Sequence, residues 1–406
     1  MRTIVVAALL LAAGSAMADD SAVEARLARL EQEVAALRQE NAQLRRDLGL
    51  EVTARQAEAG TAVKTAPKAQ SVQLSGMLQT QAEAGDQGDS RFSDGNDRIY
   101  LRRARLNVAG RFLEQFNFRT EIELAGSLGN ASGLRAQLTD AYINWNRYDS
   151  ANVRAGQFKT PFGYEQLYPD AQLAFAERTL ASDRLTPGRQ LGVQAGGETW
   201  SDRFNWALGL FNGNGINQNF NDNERFMVAG RVAGTPVSAK IFGQPSRWTI
   251  GADAFRSRDA SVAVAADFAL DSTPGTAARD NLFAGDRHGI GYDSQLQFGR
   301  FEAWGEYLRV AFQPTDQLPL RRLRSTGWSG QLAGYVIAGK LQLAARRERF
   351  DPNAGAHGDE TRTTTLGANW YFRQHDVKLQ LDWLRSEAPG LPRPQQKWIA
   401  RLQTVF

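Results

Sequence analysis

From Ser71 to Phe406 the chain alternates apolar and polar side chains in short runs. The last ten residues show the pattern most simply. Trp398, Ala400, Leu402, Thr404 and Phe406 share one face of an extended strand, and Lys397, Arg401 and Gln403 share the other. A period of two marks a strand between two unlike environments. Sixteen such runs can be laid out: 72–83, 98–110, 115–125, 138–147, 152–159, 190–200, 203–211, 225–233, 247–255, 288–298, 301–310, 326–337, 340–349, 363–372, 376–384 and 397–406. The connections 110–114, 200–203, 299–300 and 338–339 read as tight turns. Those at 86–96, 126–133, 212–224, 256–286, 311–325, 351–361 and 385–395 read as long polar loops. An even strand count, with short turns at one end and long loops at the other, predicts an all-β transmembrane β-barrel of about sixteen antiparallel strands over 71–406. Strands of soluble sandwiches alternate too, but nothing in a sandwich makes connection length alternate.

The N-terminal pattern has a different period. Val23, Leu27, Leu30, Val34, Leu37, Asn41, Leu44 and Leu48 are spaced by four and three. That is a heptad seam and predicts a short α-helical coiled coil over 19–48, with Leu27, Val34, Asn41 and Leu48 at a and the others at d. On a parallel, in-register partner the flanking pairs Arg26–Glu31, Glu33–Arg38 and Glu40–Arg45 are all opposite in sign. Asn41 in the seam penalises slipped registers. The seam leaves dimer and trimer open. Residues 49–70, rich in Ala, Thr, Gln, Glu and Lys with Pro67, read as a linker. Arg2, the apolar run 4–13 and Ala16-Met17-Ala18 read as a signal peptide over 1–18. Its apolar run is too short to span a bilayer as a helix.

Composition agrees with a barrel. Mean hydropathy is −0.43, which is strange for membrane helices and ordinary for strands whose second face meets water. The absence of cysteine excludes disulfides and thiolate metal sites. The formal net charge is +4, of which Arg2 is one, too mild a bias to name a ligand.

Phasing the strands gives a lumen face. Arg103 and Arg105 lie opposite Ala104, Leu106 and Val108. Arg119 lies with Glu121 and Glu123, opposite Phe116, Phe118 and Ile122. The same logic turns Arg225, Arg231, Arg346, Lys378 and Arg401 inward. In 152–159 both Gln157 with Lys159 and Arg154 with Gly156 form coherent faces; we assign Lys159 to the lumen. A basic lumen favours anions, because charged rings set pore selectivity and Arg matches phosphate oxygens bidentately. Glu121, Glu123, Asp140 and Asp382 fit equally the transverse field of a general porin. The stretch 161–189 carries Phe162, Tyr164, Leu167, Tyr168, Leu173, Phe175 and Leu180. So many large apolar groups need burial, and predict a loop folded into the barrel as a constriction, with Arg178, Arg184 and Arg189 presented there. Packing over the outer rim is the alternative. Glu165, Asp170, Glu177 and Asp183 leave the loop net negative by one.

Several runs resemble a known family. The terminal Phe406 is similar to the C-terminal signature of bacterial outer-membrane proteins. Arg102-Arg103-Ala104-Arg105-Leu106 resembles the second strand of the phosphate-selective porin O/P family. So does 156–163, Gly-Gln-Phe-Lys-Thr-Pro-Phe-Gly, followed by Glu165, and so does 187–193, Pro-Gly-Arg-Gln-Leu-Gly-Val. The resemblance implies a sixteen-stranded trimeric porin of a Gram-negative outer membrane, with an inward third loop and basic residues guiding phosphate or polyphosphate. Expected partners are outer-membrane lipid, two further copies, small anions, the barrel assembly machinery and, through a periplasmic coiled coil, the cell wall. No nucleic acid, cofactor or metal is expected. A non-selective porin and a tether between outer membrane and cell wall are the alternatives. His288, His357 and His375 stand beside no serine motif, so a hydrolase is not expected.

Overall fold

The computed structural model describes residues 69–92, 97–126, 136–268, 282–315 and 322–406, together with Gln32 and Ala36, which are helical. The signal peptide, the coiled-coil seam of Leu27, Leu30, Val34, Leu37, Asn41 and Leu44, and nearly all of the linker lie outside the described residues. The chain divides into two units, Met1–Ala66 and Pro67–Phe406.

The second unit is a closed antiparallel barrel. Its strands are β1 (Ala69–Gly85), β2 (Arg98–Phe112), β3 (Phe116–Glu123), β4 (Gln137–Tyr148), β5 (Ala151–Lys159), β6 (Arg189–Thr199), β7 (Phe204–Phe211) and β8 (Met227–Ile241). They continue as β9 (Gln244–Ala263), β10 (Leu282–Phe298), β11 (Phe301–Pro314), β12 (Leu323–Ile337), β13 (Leu341–Asp351), β14 (Thr361–Arg373), β15 (Val377–Glu387) and β16 (Gln395–Val405). Each strand pairs with its neighbours in sequence, and β1 closes the ring on β16 with Met77 opposite Val405 and Gln81 opposite Arg401. Closure leaves no unpaired edge in lipid, where an open backbone polar group would cost several kcal/mol. Among the described residues no helix is long and apolar enough to cross a membrane; here the strands cross.

Connection lengths alternate around the ring. Among the described residues three turns have only two residues, and in one of them, Phe242-Gly243 between β8 and β9, both have positive φ, 51° and 75°. That geometry fits a two-residue primed turn, which matches strand twist. The expected loop 256–286 is strand at both its ends, since β9 runs to Ala263 and β10 starts at Leu282. The cause is an inverted pattern at the loop end. Arg256 and Arg258 face out while Ser257 and Asp259 face in, buried. An all-polar stretch of this kind carries no apolar alternation to read.

The outer wall carries two aromatic girdles. Trp398, Trp383, Trp328, Tyr307 and Tyr292 lie towards the long loops, and Phe112, Trp200, Phe242, Phe301, Phe372 and Phe406 towards the short turns. From Trp398 to Phe406 the strand rises by about 27 Å, or roughly 20 Å along a barrel axis tilted by ~40°, near the height of an outer-membrane apolar band. Inside, Phe158, Phe162, Leu180, Phe211, Phe255, Phe283, Leu308, Phe312 and Phe350 form one buried cluster. It fills the loop-side lumen of β7–β13. There these strands are apolar on the inner face, unlike a uniformly wet pore.

Candidate functional site

The connection between β5 and β6 enters this lumen. It contains two short helices, α1 (Tyr164–Leu167) and α2 (Leu180–Leu185), with a 3-10 turn at Asp170–Gln172 between them. The Phe162 ring meets Phe255 of β9 edge-on at 4.8 Å, and Tyr164 meets Trp304 of β11 at 4.8 Å. Its main chain is then stitched to the far wall. Lys378 Nζ donates to Leu173 O at 2.8 Å, Asn369 Nδ2 to Ala174 O at 2.8 Å, and Ala176 N to Asp382 Oδ2 at 2.7 Å. Leu180 N donates to Glu348 Oε1 at 2.9 Å. The loop thus crosses the barrel from β5 to β13–β16, where its apolar residues find shelter and its backbone finds partners.

Charge pairs lock the crossing. Glu177 accepts from Arg102 at 2.8 and 2.9 Å and also from Arg401. Asp170 meets Arg105 at 2.6 Å and Arg103 at 3.3 Å, and also pairs with Arg178. Arg346 pairs with Glu348 at 3.0 Å, donates to Glu177 O at 2.9 Å and lies over the Phe175 ring at 4.6 Å. Arg178 also donates to Glu165 O at 2.9 Å. Burial opposes ionisation of Asp170, but the guanidinium groups of Arg103, Arg178 and Arg105 outweigh it and hold its carboxyl well below the usual carboxylate range. Burial likewise opposes ionisation of Glu177, and Arg102 and Arg401 keep it low.

The residues expected to guide anions therefore separate into groups. Arg103, Arg178, Arg346, Lys378 and Arg401 are buried in the seam between loop and wall. Arg105, Arg119, Lys159, Arg189 and Arg231 line an open cavity of about 570 Å³ on the β1–β8 side. Arg184 meets Asp267 at 2.7 Å, away from that cavity. Arg225 is not a lumen residue. It precedes Met227, the first residue of β8, and is exposed, with its backbone held by Asn221 and Asn223. Its parity matches Arg231, but it sits beyond the strand end.

Most of the cavity's cations are already paired. Arg105 meets Glu123 at 2.7 Å and Arg119 meets Glu121 at 2.5 Å. Arg189 meets Asp140 at 2.7 Å, and Arg231 meets Asp253 at 2.7 Å and Asp293 at 2.5 Å. Among the described residues Lys159 Nζ donates only to main-chain oxygens, Gln166 O at 2.6 Å and Tyr168 O at 3.4 Å. Arg154 differs from them all. Its guanidinium stacks on Tyr142 at 4.5 Å and Phe158 at 5.3 Å, its Nε has no hydrogen-bond partner, and it meets no carboxylate among the described residues. It lines the same cavity.

Two backbone irregularities account for residues that strict alternation misses. In β5, Gly156 has φ +131°, where an added Cβ would run into Ala141 O. The phase breaks there: Val153 and Ala155 face out, while Gln157 and Phe158 are both buried. Arg154 and Lys159, of opposite parity, consequently both reach the lumen. In β2 a register shift opposite Gln79 and Thr80 skips Arg102. This bulge turns the adjacent Arg102 and Arg103 inward together. The only signal in the sequence was the unbroken Arg102-Arg103 pair itself.

Comparison with known proteins fits this geometry. No curated protein matches the chain. The anion-selective porin from Comamonas acidovorans is similar in fold, with a TM-score of 0.55 at 16% identity over 83% of this chain and 99% of that one. In-vitro folded OmpT, an outer-membrane protein of Vibrio cholerae in its trimer form, gives 0.54 at 12% identity over 83% and 99%. The outer-membrane channel DcaP of Acinetobacter baumannii gives 0.53 at 12% over 82% and 97%. At such identities the likeness concerns the fold alone. The family model for phosphate-selective porin O and P, however, matches residues 72–389, from the start of β1 to just past β15. The chain accordingly belongs to the family of phosphate-selective porins O and P, porins of the outer membrane.

Proposed function

We propose that the barrel is a water-filled channel for passive diffusion of small anions, phosphate among them, across the outer membrane, and that Arg154 is the cation they meet. The observation that carries this reading is the contrast between Arg154 and its neighbours. Every other arginine on the cavity wall has a carboxylate beside it, which spends its field locally. Arg154 presents an uncompensated guanidinium, held in orientation by two rings, in a confined space where salt screens poorly. Lys159, held by two carbonyls, lines the same cavity from the same strand.

The density of ion pairs favours a second reading, a general porin whose balanced walls pass small solutes without preferring phosphate. Arg154→Ala separates the two in planar bilayers. Under the first reading it lowers the anion-to-cation permeability ratio severalfold and weakens block of chloride current by added phosphate. If wild type and variant share one reversal potential and phosphate blocks neither, the general-porin reading stands.

We further propose a homotrimer whose 19–48 segment forms a parallel coiled coil in the periplasm. Support comes from the opposite-signed flanking pairs of the heptads and from the position of β1, which enters the barrel at its short-turn end. A channel rather than a hydrolase is supported by the porin family to which the chain belongs. His288 lies on β10, His357 in the β13–β14 loop and His375 in the β14–β15 turn.

A further inference from the structure

We propose that the outer wall of β9–β15, at its long-loop end, binds a phosphorylated, acylated lipid of the surrounding outer leaflet. Arg256, Arg309, Arg324, Arg347, Arg349 and Arg385 all point away from the lumen, because the residues on either side of each in its strand are mostly buried inward. Arg256, Arg309 and Arg324 are exposed and meet no carboxylate among the described residues. Arg385 touches Glu387 at 3.8 Å, and Arg349 meets Asp351 at 3.0 Å and also pairs with Glu360, yet both arginine side chains remain about a third or more exposed.

Height on the wall matters as much as charge. Arg309 is two residues beyond Tyr307 and Arg385 two beyond Trp383, about 7 Å along a strand. Arg349 is the cross-strand partner of Trp328. The guanidinium groups therefore sit just outside the aromatic girdle, where lipid headgroups begin. A guanidinium fork there matches phosphate oxygens, and each basic side chain near an anionic surface adds to attraction. The arc is also one-sided. At the same end of the remaining wall the outward positions are apolar, as at Ile99, Leu124, Leu210 and Val228.

Below the arginines the same arc offers room for acyl chains. An open apolar groove of about 630 Å³ runs over Ala303 and Ala345 between Leu296, Leu332, Leu343 and Leu366. Between groove and arginines, the cross-strand partners Gly305 and Gly330 leave the wall bare. Phosphate-binding charge continuous with an acyl-sized groove selects a lipid over free phosphate. It also disfavours a second copy of this chain, which would have to bury exposed arginines against an apolar or equally basic wall.

The test is native mass spectrometry of the full-length protein in detergent with diphosphoryl lipid A, with its dephosphorylated form, or with inorganic phosphate. The wild type should retain diphosphoryl lipid A about tenfold better than the dephosphorylated form, and millimolar phosphate should not displace it. Arg309→Gln with Arg349→Gln and Arg385→Gln should erase the difference, and Leu343→Trp, by filling the groove, should weaken both lipids. Equal retention of the two lipids by wild type overturns the proposal, even if the triple variant fails to fold. So does unchanged retention in a folded triple variant. Loss of oligomer with lipid retention intact would make the arc an interface between copies and likewise overturn it.

Discussion

Glu177 is the residue on which most of the loop seam converges. Two arginines from different strands, Arg102 of β2 and Arg401 of β16, end on one buried carboxylate. Removing that charge strands two guanidinium groups in a desolvated seam. Glu177→Gln should therefore destabilise the folded barrel by about 3–5 kcal/mol, read as a lower temperature for the heat-shifted gel mobility. Arg119→Gln removes a pair whose arginine side chain is 39% exposed, and should cost no more than ~1 kcal/mol. Equal effects from the two would mean that the seam does not hold the loop. Gly156 is the other critical position. Gly156→Val forces a branched side chain into positive φ and against Ala141 O, and should displace Arg154 along with the lumen phase it sets. The expected result is a loss of anion preference larger than that of Arg154→Ala, because Lys159 moves too.

Among the elements, the inward loop governs passage. Deleting 166–182 removes Asp170, Glu177 and Arg178 and leaves Arg102, Arg103, Arg346, Lys378 and Arg401 facing an emptied lumen. Single-channel conductance should rise and selectivity should move further towards anions. A fall in conductance from a folded barrel would contradict the loop's place in the pore. Two of the loop's carboxylates also have a defined acid limit. The Asp170 and Glu177 carboxyls are held below their ordinary values, so their contribution is complete above the ordinary carboxylate range of about 4. It is lost only as pH falls through the depressed folded values. The share of the loop's hold that these two carboxylates supply should therefore persist from pH 8 to about 4 and fail only in stronger acid, read as the pH at which the stability gap between wild type and Glu177→Gln closes. A gap that closes near pH 6 would mean that Glu177 is not held as a carboxylate by Arg102 and Arg401.

The strands were legible because lipid on one side and water on the other impose a period of two wherever both are present. Legibility failed where those environments changed. Beyond the girdle, β9 and β10 meet water on the outside, so Arg256 to Asp259 read as loop. The lumen signs were legible for Arg105, Arg119 and Arg231, whose strands alternate without interruption there. Arg102 and Arg154 were hidden by a bulge and by a glycine, both of which shift phase by local geometry. What strand phase could not reveal was the pairing. Arg401 and Glu177 lie 224 residues apart, and only closure of the barrel around the loop brings them together. A row of inward arginines in the sequence thus looks more basic than the lumen it builds.

At the scale of the whole molecule, barrel closure and assembly are separate problems. The ring closes through β1 and β16 within one chain, so the proposed trimer adds walls and register but no strand. Leu30→Lys with Leu37→Lys places charges in the heptad seam and should disrupt assembly of the 19–48 segment while the barrel keeps its heat-shifted mobility. Loss of barrel folding in that variant would contradict the independence of the two units. The channel itself is tested most directly by the reversal potential of the purified wild-type protein in a planar bilayer under a tenfold KCl gradient. A conducting pore is expected, with a reversal potential that has the sign of chloride permeation and moves towards zero in Arg154→Ala. A reversal potential of the cation sign, or a folded barrel that does not conduct, would contradict it.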